Sequence, residues 1–293
     1  MIAQALSEKL VQKGYDVRFL TRRKQKENEY EWNTAKKKTE TEAFQGVSHI
    51  IHLAGAGIAD KPWTEKRKQI IRSSRIDSAK LILETLKANK IRIDSFISAS
   101  AIGFYGTITS EKIFSENDEK GEHFLSDICR DWEQSAQQFV TEGISERTVI
   151  ARFGVVLSEK GGALPKMVLP VKWYLGAPLR SGKQYLPWIH IEDLCGIILH
   201  ILQTPSLYGT YNAVAPEHVQ NRKFMREIAK TIHRPLLFPP IPKCFLYGIL
   251  GKRASLLLEG SRVSAEKIIQ AGYRFKYDTL KKALNNLLKQ TDL

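Results

Sequence analysis

Residues 3–23 read Ala3-Gln4-Ala5-Leu6-Ser7-Glu8-Lys9-Leu10-Val11-Gln12-Lys13-Gly14-Tyr15-Asp16-Val17-Arg18-Phe19-Leu20-Thr21-Arg22-Arg23. Ala5, Leu6, Leu10 and Val11 fall at helical spacing, and Gly14 ends the run. Tyr15 to Leu20 then alternates into a short strand that stops at Thr21-Arg22-Arg23. A helix leaving through Gly14 into a strand is the second half of a strand–helix–strand crossover, the unit from which parallel sheets are made.

Outward from this stretch the alternation continues. Lys24 to Thr41 is polar and reads as a loop or ragged edge. Val47 to Ala54 reads as a buried strand closed by Gly55-Ala56-Gly57, and Glu65 to Asn89 as one or two long helices. Ser95 to Ser100 is a further strand, followed by a glycine-containing loop through Tyr105-Gly106. Phe124 to Glu142 is helical, and Arg147 to Leu157 is a strand. The pattern is that of an α/β fold with a doubly wound parallel sheet covered on both faces. Past residue 157 the rhythm changes, with Pro165, Pro170, Pro178 and Pro187 breaking the chain into loops around Trp173 and Tyr174. A helix over Ile191 to Gln203 returns to the main domain, and Phe224 to Ile232 and Leu280 to Leu288 read as helices. Pro235 to Pro242 carries four prolines and reads as a linker. The expected organisation is a sheet domain over 1–157, cleft-forming segments over 158–242, and a smaller, mainly helical piece over 243–293.

Composition narrows the function classes. The 293 residues are 43% hydrophobic and 26% charged, ordinary values for a globular chain, and no apolar run approaches the ~20 residues of a membrane span. No basic-then-apolar leader opens the chain, because Ser7, Glu8 and Lys9 interrupt it. Cys129, Cys195 and Cys244 form no CxxC pair, which speaks against a metal knuckle or disulfide framework and for a reducing cytoplasm. The net charge of +14 is spread over helices, with dense runs only at Arg22–Lys26 and Lys36–Lys38. Without a nucleic-acid-binding motif it reads as a lysine-rich solvated surface, so neither a nucleic-acid nor a membrane partner is expected.

A doubly wound sheet ordinarily begins with its central strand, then a glycine-rich turn, then a helix whose N-terminus holds a pyrophosphate. Here the helix comes first, so the expectation is that one strand and turn, about 10 residues, belong ahead of Met1. A chain that truly opened on the helix would lack the usual backbone cradle. Several motifs in order resemble one family: His52-Leu53-Ala54-Gly55, then Trp63 with Ser73-Ser74-Arg75, then Ser98–Gly106, Arg152-Phe153-Gly154-Val155-Val156, Gly176-Ala177-Pro178 with Ser181-Gly182-Lys183-Gln184, and Pro187–Leu194. Leu257–Val263, Ala271–Phe275 and Leu280–Leu284 complete the series. The chain is similar to the NAD(P)-dependent epimerase-like family, atypical extended short-chain dehydrogenases/reductases with an appended C-terminal domain.

That resemblance implies a Rossmann sheet and a nicotinamide dinucleotide. Thr21-Arg22-Arg23 falls at the end of the second strand, where an acidic residue would bind ribose hydroxyls and an arginine accommodates a 2′-phosphate. NADP is therefore expected over NAD; the alternative for the arginine pair is an exposed basic loop. Leu53, Ala54 and Gly55 would lie against adenine and ribose, and Val156 against the nicotinamide. Arg75 would either flank the nucleotide or make a helix-surface salt bridge.

The family likeness also bears on catalysis. Short-chain dehydrogenases use a serine after the fifth strand and a Tyr-x-x-x-Lys pair whose lysine tunes the phenol. Ser100 matches the serine, but Leu125 and Cys129 stand at the tyrosine and lysine positions, so the dyad is absent. Tyr105 is the candidate to take over the acid/base role; its other role is packing or substrate contact. Gln184 and Trp188 are expected in the substrate cleft, and His190 and Asp193 as architectural. Two functions stay open: an NADP-dependent oxidoreductase or epimerase-type enzyme on a small polar or sugar-like substrate, and an NADP-binding protein with little or no turnover.

Overall fold

The computed structural model describes residues 1–288. Its first helix, α1 (Ile2–Gln12), buries Leu6 and Leu10 and leads to β1 (Phe19–Thr21). The stretch expected to be a loop instead forms β2 (Glu29–Asn33) and β3 (Lys38–Thr39), with β2 parallel to β1 and antiparallel to β3. Tyr30 and Trp32 explain the difference: they alternate with Glu29 and Glu31, and both rings pack against the core that the dense charge conceals.

Next come β4 (His49–His52), one uninterrupted helix α2 (Glu65–Ala88), capped by the Thr64 hydroxyl, and β5 (Ile93–Ala101). A short β6 (Ile113–Phe114) precedes α3 (Phe124–Thr141) and β7 (Ser145–Phe153). The apolar run read as one strand over 147–157 is two, because Gly154 separates β7 from β8 (Val155–Ser158). A Cβ at Gly154 would lie 2.9 Å from the Pro187 carbonyl, so only glycine lets the chain cross there from one sheet to another. Strand β8 pairs with β9 (Gly161–Gly162) and, beyond α4 (Leu164–Lys172), with β10 (Trp188–His190). The helix α5 (Ile191–Gln203) matches the expected span, and β11 (Gly209–Ala213) returns to the main sheet. The remaining elements are α6 (Asn221–Thr231), α7 (Lys243–Leu250), α8 (Ser255–Leu258), β12 (Arg262–Val263), α9 (Glu266–Gln270) and α10 (Leu280–Leu288).

The principal sheet is parallel, in the order β11-β7-β5-β4. Neighbouring residues on a strand face opposite ways, and two cores follow. Phe96 and Ile150 pack with Ala79, Ile82 and Leu86 of α2 and with Phe139 of α3, the Phe96 and Phe139 rings stacking 3.6 Å apart. Ile97 and Val149, one residue along, pack instead with α1 and α5. Burying each large side chain contributes roughly 1.5–3 kcal/mol, so these two layers dominate the energetics of this half. A third core, around Trp188, Phe224 and Leu284, joins α4, α6 and α10.

On its far side β4 faces a groove of about 610 Å³ that also borders α1 and β1. Leu6, Leu10, Val17, Leu20, Ile50 and His52 line it, and β1 and β4 share no backbone pairing.

Candidate active site at the carboxyl ends of the strands

Strands β5, β7 and β11 bring Ser100, Arg152 and Asn212 into register, side by side near their carboxyl ends. In open parallel sheets this edge is where ligands bind. All three residues are buried, as is Glu133, which α3 aims at the row. Arg152 donates to both oxygens of Glu133, Nε to Oε1 and Nη2 to Oε2, each at 2.8 Å. Its remaining arm, Nη1, donates to the Tyr105 hydroxyl at 2.9 Å, and its plane lies over the Phe104 ring at 3.5 Å. Ser100 Oγ donates to Glu133 Oε1 at 2.6 Å, and Tyr105 donates to Asn212 Oδ1 at 2.7 Å. Asn212 extends the chain outward, its Nδ2 donating to the Ser264 carbonyl and its backbone N–H to Glu116. A buried charge is tolerated only when it is paired and hydrogen-bonded, and here each guanidinium nitrogen and both carboxylate oxygens have a partner.

The electrostatics follow. Burial works against the Arg152 charge, but the Glu133 carboxylate and the Tyr105 hydroxyl together outweigh it, and the guanidinium holds its proton more firmly than usual. Burial pushes the Tyr105 phenol up to about 12, even with Arg152 and Asn212 pulling the other way. Burial, reinforced by Glu133, pushes the Cys129 thiol up to about 12 as well. A thiol so held is neither nucleophile nor base near neutrality. Leu125 and Cys129 are packed under the turn after β5, within 3.5 and 3.8 Å of a Cβ built at Gly103.

The cofactor candidates fall in two places. Leu53 and Val156 pack on the same core as Ile2 at the start of α1. Met1 lies beside Gly161 and Gly162, the strand adjoining Val156. Beside Leu53 and Ala54, Gly55 lies directly under Arg75, and a Cβ there would be 2.9 Å from the guanidinium carbon. Arg75 donates to the Ala56 and Ile71 carbonyls and stacks on Trp132 at 4.9 Å, while Ser74 Oγ accepts the Ala56 N–H. Arg75 thus braces the loop after β4 and forms no salt bridge among the described residues. Thr21, Arg22 and Arg23 lie at the end of β1, across the groove from Leu53 and Ala54, where Thr21 Oγ1 bonds the Arg23 backbone. The Arg22 and Arg23 side chains are exposed and pair with no carboxylate among the described residues.

The cleft candidates are also separate from the row. Trp188 is wholly enclosed in the third core. Gln184 is buried where the loop after α4 meets α8, its amide donating to the Leu179 and Leu257 carbonyls. His190 accepts the Glu192 N–H at the start of α5 and stacks on Tyr277 at 3.7 Å. Asp193 accepts from the Tyr273 hydroxyl and from the backbone N–H groups of Lys276 and Tyr277. Both residues therefore clasp the C-terminal segment to α5, the architectural role expected of them.

Behind the loop after β4, His52 is fully enclosed, with Ser78 Oγ 2.8 Å from Nε2 and the Trp132 indole N–H directed at Nδ1. Burial, aided by Arg75, pushes it down to about 4, so it is neutral, with the proton on Nε2. Glu133, Arg152 and Asn212 do not stand out as a site in the sequence. Their signal there is faint: an arginine inside the apolar run Val149-Ile150-Ala151-Arg152-Phe153, and a glutamate on the inward face of α3.

The fold defines a protein of the doubly wound α/β class, with its polar row at the edge where such sheets bind ligands. The profile of the NAD dependent epimerase/dehydratase family matches residues 1–214, and that of a domain of unknown function (DUF1731) matches residues 241–287. The chain belongs to the NAD dependent epimerase/dehydratase family. It is 37% identical to the epimerase family protein YfhF of Bacillus subtilis (strain 168) over 98% of this chain and 94% of that one. It is 34% identical to the epimerase family protein SAOUHSC_00792 of Staphylococcus aureus (strain NCTC 8325 / PS 47), over 99% and 96%. Among solved structures, the human epimerase family protein SDR39U1 (isoform 2) with NADPH superposes with a TM-score of 0.88 at 27% identity, covering 99% of this chain and 96% of that one. The UDP-glucose 4-epimerase of Thermus thermophilus, in complex with NAD, shares the fold with a TM-score of 0.78 at 16% identity, over 100% and 97%.

Of the residues present, the Arg22–Arg23 pair, exposed and without a carboxylate partner among the described residues, is what fits the phosphates of a dinucleotide; the space a Cβ at Gly55 would take is filled by the Arg75 guanidinium.

Proposed function

We propose that this protein binds NADP and acts as an oxidoreductase or epimerase-like enzyme on a small polar or sugar-like substrate, in the cytoplasm. The observation that carries the cofactor choice is the exposed, acid-free Arg22–Arg23 pair at the end of β1. A carboxylate there would repel a 2′-phosphate; a guanidinium receives it through paired N–H donors. The NADPH bound to the human relative supports the same choice. When bound, the nicotinamide supplies hydride chemistry. The chain's own part is to hold the dinucleotide with the loop after β4 and to present Ser100 and Tyr105 from a rigid, charge-balanced row. Three unpaired cysteines, with Cys244 exposed, support the reducing compartment.

A second reading, binding with little turnover, is supported by one specific feature: the Ser100 and Tyr105 protons are both already donated, to Glu133 and Asn212. Titration with NADPH and NADH, followed by nicotinamide fluorescence, tests the first part. NADPH should bind at least tenfold more tightly, and Arg22→Glu with Arg23→Glu should remove that preference; equal affinities in the parent would end the NADP assignment. Consumption of bound NADPH across a panel of carbonyl compounds then separates enzyme from binder.

A further inference from the structure

Two stretches of this chain carry no acidic residue at all. Between Glu159 and Glu192, and again between Glu227 and Glu259, there are ten lysines and arginines and not one aspartate or glutamate. The fold puts these stretches together. Leu179 bridges Ile241 in parallel, Arg180 N–H donates to the Ile241 carbonyl at 2.9 Å, and Arg234 lies over the Tyr174 ring at 5.2 Å. Arg180 and Lys230 reach back to Glu259 and Glu227 at the margins; the other eight cations pair with no carboxylate among the described residues.

The same surface is unusually apolar. Trp173 is 69% exposed and Phe245 59%, and Leu175, Leu237, Phe238 and Ile249 are each more than half exposed. Helix α7 explains part of this, because it buries only Leu246, against Ala254 and Leu258. Its Phe245 and Ile249 project outward. Pro235, Pro239, Pro240 and Pro242 stiffen the segment that holds Leu237 and Phe238 out. Monomeric proteins seldom leave such a group of large side chains in water without a use for it.

We propose that this face docks on an anionic lipid bilayer surface, the exposed rings entering the headgroup region and Lys172, Arg234 and Lys243 meeting lipid phosphates. Aromatic and aliphatic tips ringed by cations are the makeup of interfacial anchors, and indole and phenol rings favour the headgroup level. Charge chooses among the occupants. A second copy would set one predominantly cationic face, with carboxylates only at its margins, against another, and the two would repel. The cytoplasmic leaflet of a bilayer carries the opposite sign.

The test is co-sedimentation of the full chain with sucrose-loaded vesicles of phosphatidylcholine alone or with 30% phosphatidylglycerol. At 0.1 M salt the anionic vesicles should retain at least tenfold more protein than the neutral ones, and 0.5 M salt should release it. Phe238→Ser with Phe245→Ser should abolish retention while leaving the thermal melt intact, since neither ring is buried. Lys172→Glu with Lys243→Glu, an independent pair, should do the same. Equal retention by both vesicle types, or unchanged retention of both variants, overturns the proposal. So does concentration-dependent dimerisation lost in the serine variant, which gives the face to a second copy. Binding to soluble polyglutamate as tight as to vesicles would give it to an acidic polypeptide.

Discussion

Tyr105 and Asn212, 107 residues apart in the chain, are joined by a 2.7 Å hydrogen bond in which the phenol donates, while Arg152 donates to that same phenol. The hydroxyl is thus a buried junction. Tyr105→Phe should cost about 1–3 kcal/mol, because both Asn212 and Arg152 lose a partner away from water. Urea unfolding measures this. With the phenol pushed up to about 12, any pH dependence of cofactor binding or turnover between 6 and 9 should persist in the phenylalanine variant. Its disappearance there would return Tyr105 to an acid/base role.

Glu133 and Arg152 should be strongly coupled. Glu133→Gln or Arg152→Met leaves an unbalanced charge in the interior and should destabilise by about 3–5 kcal/mol. The double variant should lose clearly less than the sum, since no buried charge is then stranded. A double-mutant cycle in denaturant gives the coupling energy directly; additive losses would mean that the pair is solvated in solution.

His52 sets a pH dependence of stability. An imidazole near 6.5 when unfolded and at about 4 when folded means that the unfolded chain binds the additional proton in between. Its contribution is therefore complete above about pH 6.5 and is lost as pH falls through 4, a change of roughly 3 kcal/mol in total. His52→Asn should flatten the stability curve over that window. A curve just as steep in the variant would place the sensitivity elsewhere.

Asp193 should control the attachment of the C-terminal segment. Asp193→Ala strips a partner from Tyr273, Lys276 and Tyr277 at once. Limited proteolysis should then cut between residues 271 and 279 at least tenfold faster than in the parent, with the sheet half still protected. Equal cutting rates would mean that His190 and Tyr277 suffice.

Much of the fold is legible where side-chain period and length agree. The span of α5, the reach of α3 and the parallel strands β5 and β7 follow from apolar spacing that no tertiary contact overrides. Glu29-Tyr30-Glu31-Trp32 reads as loop because its charges hide a period-two pattern, and the Gly154 break is invisible inside a continuous apolar run. The carboxyl edge of the sheet is legible in the loop and glycines after β4, through motif order. Its polar row is not: the arginine at 152 is stable inside only because of a helix residue, Glu133, and a turn residue, Tyr105, that no local pattern links to it.

Gly154 passes one run of chain, Ser145 to Ser158, from the main sheet into the small one, so the two sheets are tied by covalent backbone and not only by contact. A displacement of either sheet is therefore carried to the other through the peptide chain itself.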